Sequence, residues 1–288
     1  MTISVVIPAH NEAAVIGRCL SAMLQGAGPD ELEVIVVCNG CTDDTAARAR
    51  AFGSSVRVIE TNIASKSHAL NLGDCEARGF PRFFVDADVV LPLTSIRTVA
   101  KALGRGLALA AAPRLEVDES GCSWAVRAYH RIWMRLPYVT DRMLGSGVYA
   151  ISQLGRARFD SFPEIIGDDE FIRMLFAPYE KTSIDEAAFI VTPPRRLGSL
   201  IHINVRRRVG FFEMRKLYPD VSQQEARKQR SALLRLAAQP AQWPALAVYG
   251  WAKLCTVLLF AWRRRRGAEK HWARDTSSRS RSSGGRTS

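Results

Sequence analysis

Two hydrophobic periods alternate along residues 1–110. Short continuous apolar runs predict strands buried on both faces: ISVVIPA (3–9), LEVIVVCNG (32–40), SVRVIET (55–61), FPRFFVDADVVL (80–91) and LALAAAPRLEV (107–117). Between them, EAAVIGRCLSAMLQ (12–25), TDDTAARARAFG (42–53), SKSHALNLGDCEAR (65–78) and SIRTVAKALGRG (95–106) carry helical spacing. Thr42 is placed as the N-cap of the second helix, with Asp43 and Asp44 in its first turn and Gly53 as its stop. Strand and helix in strict turn predict an α/β fold with a mostly parallel sheet and flanking helices.

The pattern then changes. Trp124, Tyr129, His130, Trp133 and Tyr138 mark an aromatic-rich helical stretch, GSGVYAIS (145–152) a turn entering a strand, and GDDEFIRMLF (167–176) a helix opened by two carboxylates. Pro193-Pro194 end another apolar strand. Beyond residue 205 come two basic amphipathic stretches (205–219 and 223–239) and the nearly all-apolar run PALAVYGWAKLCTVLLFAW (244–262). These shifts predict one α/β domain over 1–205, divided at about residue 110, a helical region over 206–262, and a basic Ser/Arg/Gly-rich tail over 263–288.

With 47% hydrophobic residues the chain can bury a sizeable core, which excludes wholesale disorder. The net charge of +12 is uneven: residues 1–194 carry 19 Lys+Arg and 23 Asp+Glu, whereas 195–288 carry 21 and 5. A basic last third calls for an anionic partner, either phospholipid, a phosphorylated lipid or nucleic acid. The tail lacks the interleaved aromatics of RNA binders, so nucleic acid is not expected. Six cysteines make neither a disulfide scaffold nor a zinc site. Cys38 and Cys41 bracket Asn39-Gly40 at a strand end and read as turn or core residues. Met1 runs straight into a strand, so no secretory leader is expected and the cytosol is the compartment that fits.

In an open parallel sheet ligands bind beyond the carboxyl ends of the strands. Four polar clusters fall there: Ala9 to Glu12, Cys38 to Asp44, Lys66 and its neighbours, and Asp86-Ala87-Asp88. Strand alternation would turn Asp86 and Asp88 to one face, where a hard cation such as Mg²⁺ or Mn²⁺ could share them with substrate phosphates. Taken alone, such a pair reads more readily as solvated turn residues. Asp168-Asp169 could be helix-dipole complements, or one could deprotonate an acceptor hydroxyl. Lys66 could reach a diphosphate or be a solvated helix charge. No GxxxxGK[ST], GxGxxG or GxSxG occurs, which removes support for P-loop, dinucleotide-redox and serine-hydrolase chemistry.

In order, VVIPAHNE (5–12), VVCNGCTDDT (36–45), ASKSHALNLG (64–73), FVDADV (84–89), GSGVYAIS (145–152) and GDDEF (167–171) resemble the successive motifs of inverting glycosyltransferases of family 2, with the GT-A fold. The resemblance covers residues 3–175 and implies roles for particular residues. Pro8, Ala9 and Glu12 would line the nucleotide pocket, Asn39 hold the base, and Lys66 and Asp86 contact the donor. Asp88 would ligate Mn²⁺ or Mg²⁺ on the donor diphosphate. Asp169 would be the catalytic base, with Asp168 where the family usually has Glu. Gly145 and Gly147 would border the acceptor side of the sugar, where Arg206 and Arg207 are also placed, and the run Arg206-Arg207-Arg208 could bind a diphosphate. Cys38-Asn39 stands where the family often has Asp-Asp or Asp-Asn, and Cys41 where it has Ser. The QxxRW motif of processive synthases is absent, which implies single additions. HWARDTSSR (271–279) is similar to an ending of bacterial exopolysaccharide-type members.

The implied function is transfer of a sugar from a nucleoside-diphosphate donor to an acceptor hydroxyl on a lipid-linked or cell-envelope glycan. A sugar-nucleotide pyrophosphorylase would want a glycine-rich N-terminal loop, which VVIPAHNE lacks. A non-catalytic nucleotide-sugar or membrane-surface binding protein is the alternative, and intact Asp86, Asp88 and Asp169 argue against it. Residues 245–262 would span about 27 Å as a helix, just short of a bilayer core, with Lys253 central. A docked or interfacial helix is therefore expected ahead of a span. With Trp243, Trp251, Trp262 and Arg263–Arg266 it suits an anionic surface, peripheral at the inner face of the plasma membrane.

Overall fold

The computed structural model describes residues 2–140, 146–165, 167–217 and 219–266, with no side-chain detail at 138, 140 and 211–226. Gly145 and the segment 271–279 lie outside the described residues. The α/β half reads β1 (Ile3–Ala9), α1 (Ile16–Leu24), β2 (Leu32–Asn39), α2 (Thr45–Arg50), β3 (Val56–Thr61), α3 (Lys66–Glu76), β4 (Arg82–Val85), α4 (Leu93–Gly104) and β5 (Ala110–Val117). There follow α5 (Trp124–Trp133), α6 (Pro137–Thr140), β6 (Val148–Ile151), α7 (Gln153–Arg156), α8 (Asp168–Leu175) and β7 (Lys181–Val191). Three long helices close the described chain: α9 (Leu197–Leu217), α10 (Pro219–Ala237) and α11 (Trp243–Arg265).

The seven strands form one sheet in the order β3-β2-β1-β4-β6-β5-β7, and β6 alone runs antiparallel to its neighbours. The buried runs of β1 and β2 follow from coverage on both faces. One face packs Ile7, Val36 and Phe83 under Leu20, Met23 and Ile96; the other packs Val6, Ile35 and Phe84 under Leu70, Phe162 and Ile172. A third cluster unites α5, α9, α10 and α11 through Tyr129, Ile132, Leu200, Leu236 and Tyr249.

Three expectations need correction. The second helix starts at Thr45, not Thr42. Thr42 is instead drawn to Asn11, whose Oδ1 accepts its backbone N–H at 2.6 Å, while Asp43 accepts from the Thr45 N–H at 3.1 Å. The fourth strand ends at Val85, so Asp86 and Asp88 do not alternate on a strand. There the chain turns: Asp86 N–H donates to Gly147 O at 2.8 Å and Val89 N–H to Asp86 O at 3.1 Å. The first helix begins at Ile16, because residues 12–15 form a turn closed by Val15 N–H onto Glu12 O at 2.9 Å.

Candidate active site

Parallel strands β1, β2 and β4 deliver their carboxyl ends to one edge, and the loops beyond β1 and β2 are laced together there. Asn39 Nδ2 and Cys41 Sγ both donate to Ala9 O, at 3.0 and 3.4 Å. Asn11 N–H meets Cys41 Sγ at 3.3 Å, Glu12 N–H meets Thr45 Oγ1 at 2.7 Å, and the His10 ring contacts Asn39 O. Pro8 and Ala9 are buried in β1, so they shape this edge through their backbone. Glu12 and Asn39 are buried, and Asn39 Oδ1 has no hydrogen-bond partner among the described residues. Cys38 is also buried, and burial with the adjacent Cys41 pushes its thiol up to about 12, so it stays uncharged.

The second half of the site comes from three elements. Ser65 caps α3 by accepting the His68 N–H at 3.2 Å, which fixes Lys66 as the first helical residue. Lys66 Nζ then reaches Asp86 Oδ1 at 2.6 Å, beyond β4, and Asp168 Oδ1 at 2.7 Å, at the start of α8. Tyr149, from β6, donates its hydroxyl to the other Asp168 oxygen, Oδ2, at 3.0 Å. Gly147 enters β6 with φ +95, and a Cβ there would stand 3.0 Å from Asp86 Oδ2. α8 follows Gly167, whose φ of +114 suits glycine.

Three carboxylates, Asp168, Asp86 and Asp169, thus act on a single ammonium. Burial alone would lower the Lys66 pKa, but Asp168, then Asp86 and Asp169, hold it above the usual lysine value. Asp86 is raised by burial, opposed by Lys66 and pushed further by Asp168 and Asp88. Asp169 makes no such pair with Lys66. Burial and the charge of Asp168 raise its carboxyl to about 7. Burial and Asp168 also push the Tyr149 phenol well above its ordinary value, so it remains a donor. Asp88 is half-buried, and its carbonyl accepts from Arg18 Nη2 at 3.3 Å.

Sequence reasoning found Lys66, Asp86, Asp88, Asp168 and Asp169, and they meet at this edge. Gly147 sits against Asp86. Arg206 and Arg207 lie on α9, and Arg207 acts electrostatically on Tyr129, His130 and Lys253. Tyr149 was missed. Its signal was a lone hydroxyl in the apolar strand VYAI.

The glycosyl transferase family 2 profile matches residues 4–164. A 4,4'-diaponeurosporenoate glycosyltransferase of Staphylococcus aureus (strain bovine RF122 / ET3-1) is 37% identical over 92 residues, covering 31% of this chain and 24% of that protein. Its counterpart in strain MRSA252 is 37% identical over 91 residues. The chain thus spans about a quarter of the length of these relatives, 24% in each. Among solved structures, the mannosyltransferase PcManGT from Pyrobaculum calidifontis, in complex with GDP-Man and Mn²⁺, superposes with TM-score 0.63 at 19% identity, over 91% of this chain and 87% of that one. S. aureus TarS 1-349 superposes with TM-score 0.51 at 15% identity, over 93% and 92%. These likenesses show the GT-A fold, and with the profile spanning more than half its length, this chain belongs to glycosyl transferase family 2.

Proposed function

We propose that this chain is an inverting glycosyltransferase that moves a sugar from a nucleoside-diphosphate donor to an acceptor hydroxyl of a lipid-linked or cell-envelope glycan. The observation that carries the reading is the asymmetry of the carboxylate pair. Asp168 is committed to Lys66 and Tyr149, whereas Asp169 is raised to about 7, where a general base works best near neutral pH. Asp169 takes the acceptor proton as the acceptor oxygen bonds to the anomeric carbon and the bond to the diphosphate oxygen breaks. One displacement without a covalent enzyme intermediate inverts the centre.

The donor lies along the loops beyond β1, β2 and β4. The open Asn39 Oδ1 offers an acceptor to a base N–H, and Lys66 offers its ammonium to the diphosphate. Among the described residues no three acidic, His or Cys side chains gather as a metal cluster. That fits a hard cation held by one or two carboxylates and completed by substrate phosphates. Asp88, with Asp86 beside it, would hold Mn²⁺ or Mg²⁺; when bound, the ion neutralises the departing diphosphate. The PcManGT complex, with GDP-Man and Mn²⁺, supports that choice of donor class and metal.

The enzyme works from the cytoplasmic side, peripheral at the inner face of the plasma membrane. α11 supports this: Ala245, Tyr249, Ala252 and Thr256 face the protein, and Trp251, Leu254, Leu258 and Trp262 are exposed. Purified protein screened against nucleotide sugars with and without Mn²⁺ or Mg²⁺ tests the reading. Metal-dependent thermal stabilisation and hydrolysis of one donor support it. Stabilisation with no turnover in the presence of acceptor glycans would leave a binding protein instead.

A further inference from the structure

Lys66 bridges two carboxylates that are held very differently by their surroundings. The Asp168 side chain is only 9% exposed, and both its oxygens are taken: Oδ1 by the Lys66 ammonium at 2.7 Å, Oδ2 by the Tyr149 hydroxyl at 3.0 Å. The Asp86 side chain is 36% exposed. Its Oδ1 meets the ammonium at 2.6 Å, whereas its Oδ2 lies against Gly147, where a Cβ would stand 3.0 Å away. The turn fixes its backbone, with the N–H on Gly147 O at 2.8 Å and the carbonyl accepting from Val89 N–H at 3.1 Å. The oxygen that Asp86 can offer to a ligand is therefore the one that Lys66 covers.

The lysine side of the bridge is suited to exchange. The Ser65 cap fixes the backbone at Lys66, but the side chain is a flexible stem that ends in a group with rotatable donors. A divalent cation arriving at Asp86 Oδ1 meets the ammonium at close range, and a half-buried site screens that repulsion poorly. One of the two lysine contacts has to yield. The contact to Asp168 is buried and braced by Tyr149, so the contact to Asp86 is the weaker anchor.

We propose that Lys66 is a built-in counter-ion that closes the Asp86 side of the metal position while no donor is bound, and that it pivots on Asp168 to a diphosphate oxygen when the donor enters with Mn²⁺ or Mg²⁺. Metal and diphosphate then bind together, and the metal alone binds weakly. The proposal rests on the metal part of the function above. It adds when that position opens and which residue opens it.

Equilibrium dialysis of the full chain against Mn²⁺, without nucleotide, tests the exchange. Lys66→Met is expected to hold Mn²⁺ at least about fivefold more tightly than wild type. Lys66→Arg, which keeps the cation, stays within about twofold of wild type, as does Lys101→Met, the same charge loss on the exposed surface of α4. In an Asp86→Asn background the gain from Lys66→Met should disappear, because the contested oxygen has lost its charge. Inorganic pyrophosphate should raise Mn²⁺ retention at least about fivefold in wild type and by less in Lys66→Met, which has no ammonium to offer the phosphate. Lys66→Gln carries the same comparison if Lys66→Met does not fold. Equal Mn²⁺ affinity in wild type and Lys66→Met, or a gain that persists in the Asp86→Asn background, would overturn the exchange and leave the metal assignment standing. No Mn²⁺ held by any of these proteins, with or without pyrophosphate, would overturn both.

Discussion

Lys66 Nζ lies 2.7 Å from Asp168 Oδ1, joining the first residue of α3 to the first residue of α8 across the candidate active site. The same ammonium binds Asp86 at 2.6 Å, so one lysine holds the loop beyond β4 and the start of α8 together. Lys66→Met should leave Asp86 and Asp168 facing each other without a cation. Because Lys66 is 31% exposed, solvent screening discounts the cost to about 1–3 kcal/mol at pH 7.5. The folded lysine pKa is raised, so its stabilisation is present throughout the neutral range and fades only as pH rises through that raised value. Urea denaturation checks this: the deficit should shrink at acid pH, as the orphaned Asp86, whose carboxyl burial already raises, takes up a proton.

The pH dependence of catalysis follows from Asp169. Its carboxyl is raised to about 7 by burial and by Asp168, and a base acts only when deprotonated. kcat/KM should therefore climb with pH up to about 7 and level off above. Stability from this group has the opposite slope. A raised carboxyl favours the folded state when protonated, so its contribution is lost as pH rises through about 7. A rate profile flat from pH 5.5 to 9 would contradict the assignment.

Tyr149→Phe removes the hydroxyl on Asp168 and keeps the ring stacked on Phe84 at 5.2 Å. It leaves a buried carboxylate oxygen without its donor, a cost of about 1.5–3 kcal/mol. With Asp168 less firmly placed, kcat should fall about tenfold while the donor KM changes little. Steady-state kinetics and thermal melts on one preparation separate the two effects.

Gly147→Ala tests how tightly β6 approaches Asp86, the carboxylate proposed to contact the donor. The added Cβ would stand 3.0 Å from Asp86 Oδ2 and 3.1 Å from Val89 Cγ2, on a backbone with φ +95. The expected loss is at least about 1 kcal/mol, with weaker donor binding. Gly198→Ala, in helix α9 with nothing near its Cβ, should be neutral or stabilising by up to about 1 kcal/mol. Melting temperatures of the pair provide the check.

The sheet was legible because β1 and β2 are covered on both faces, and such strands write themselves as unbroken apolar runs. β4 read too long because Val89 and Leu91 are as buried as the strand itself, although the chain has already turned at Asp86. Thr42 had the right chemistry for a cap, but a partner 31 residues away, Asn11, claimed it. The carboxylates were legible from their order along the chain. Their bridging was not: whether Lys66 meets Asp168, 102 residues on, depends on how α3 and α8 cover one sheet face. Tyr149 was hidden for the same reason, since strand parity gives a face but not what packs on it. In α11, apolar residues all round the helix conceal which face is docked, and packing against α5, α9 and α10 decides it.

The central claim is that Asp169 is the base, and Asp169→Asn tests it most directly. The exchange keeps size and hydrogen bonding but removes the proton acceptor. Wild-type and variant are compared in transfer from the stabilising nucleotide sugar, with thermal shift by that donor as the control. The account predicts that turnover falls by about 10²–10⁴ while donor-induced stabilisation is retained. Turnover within about twofold of wild type, at the pH optimum and with the donor still bound, would contradict it.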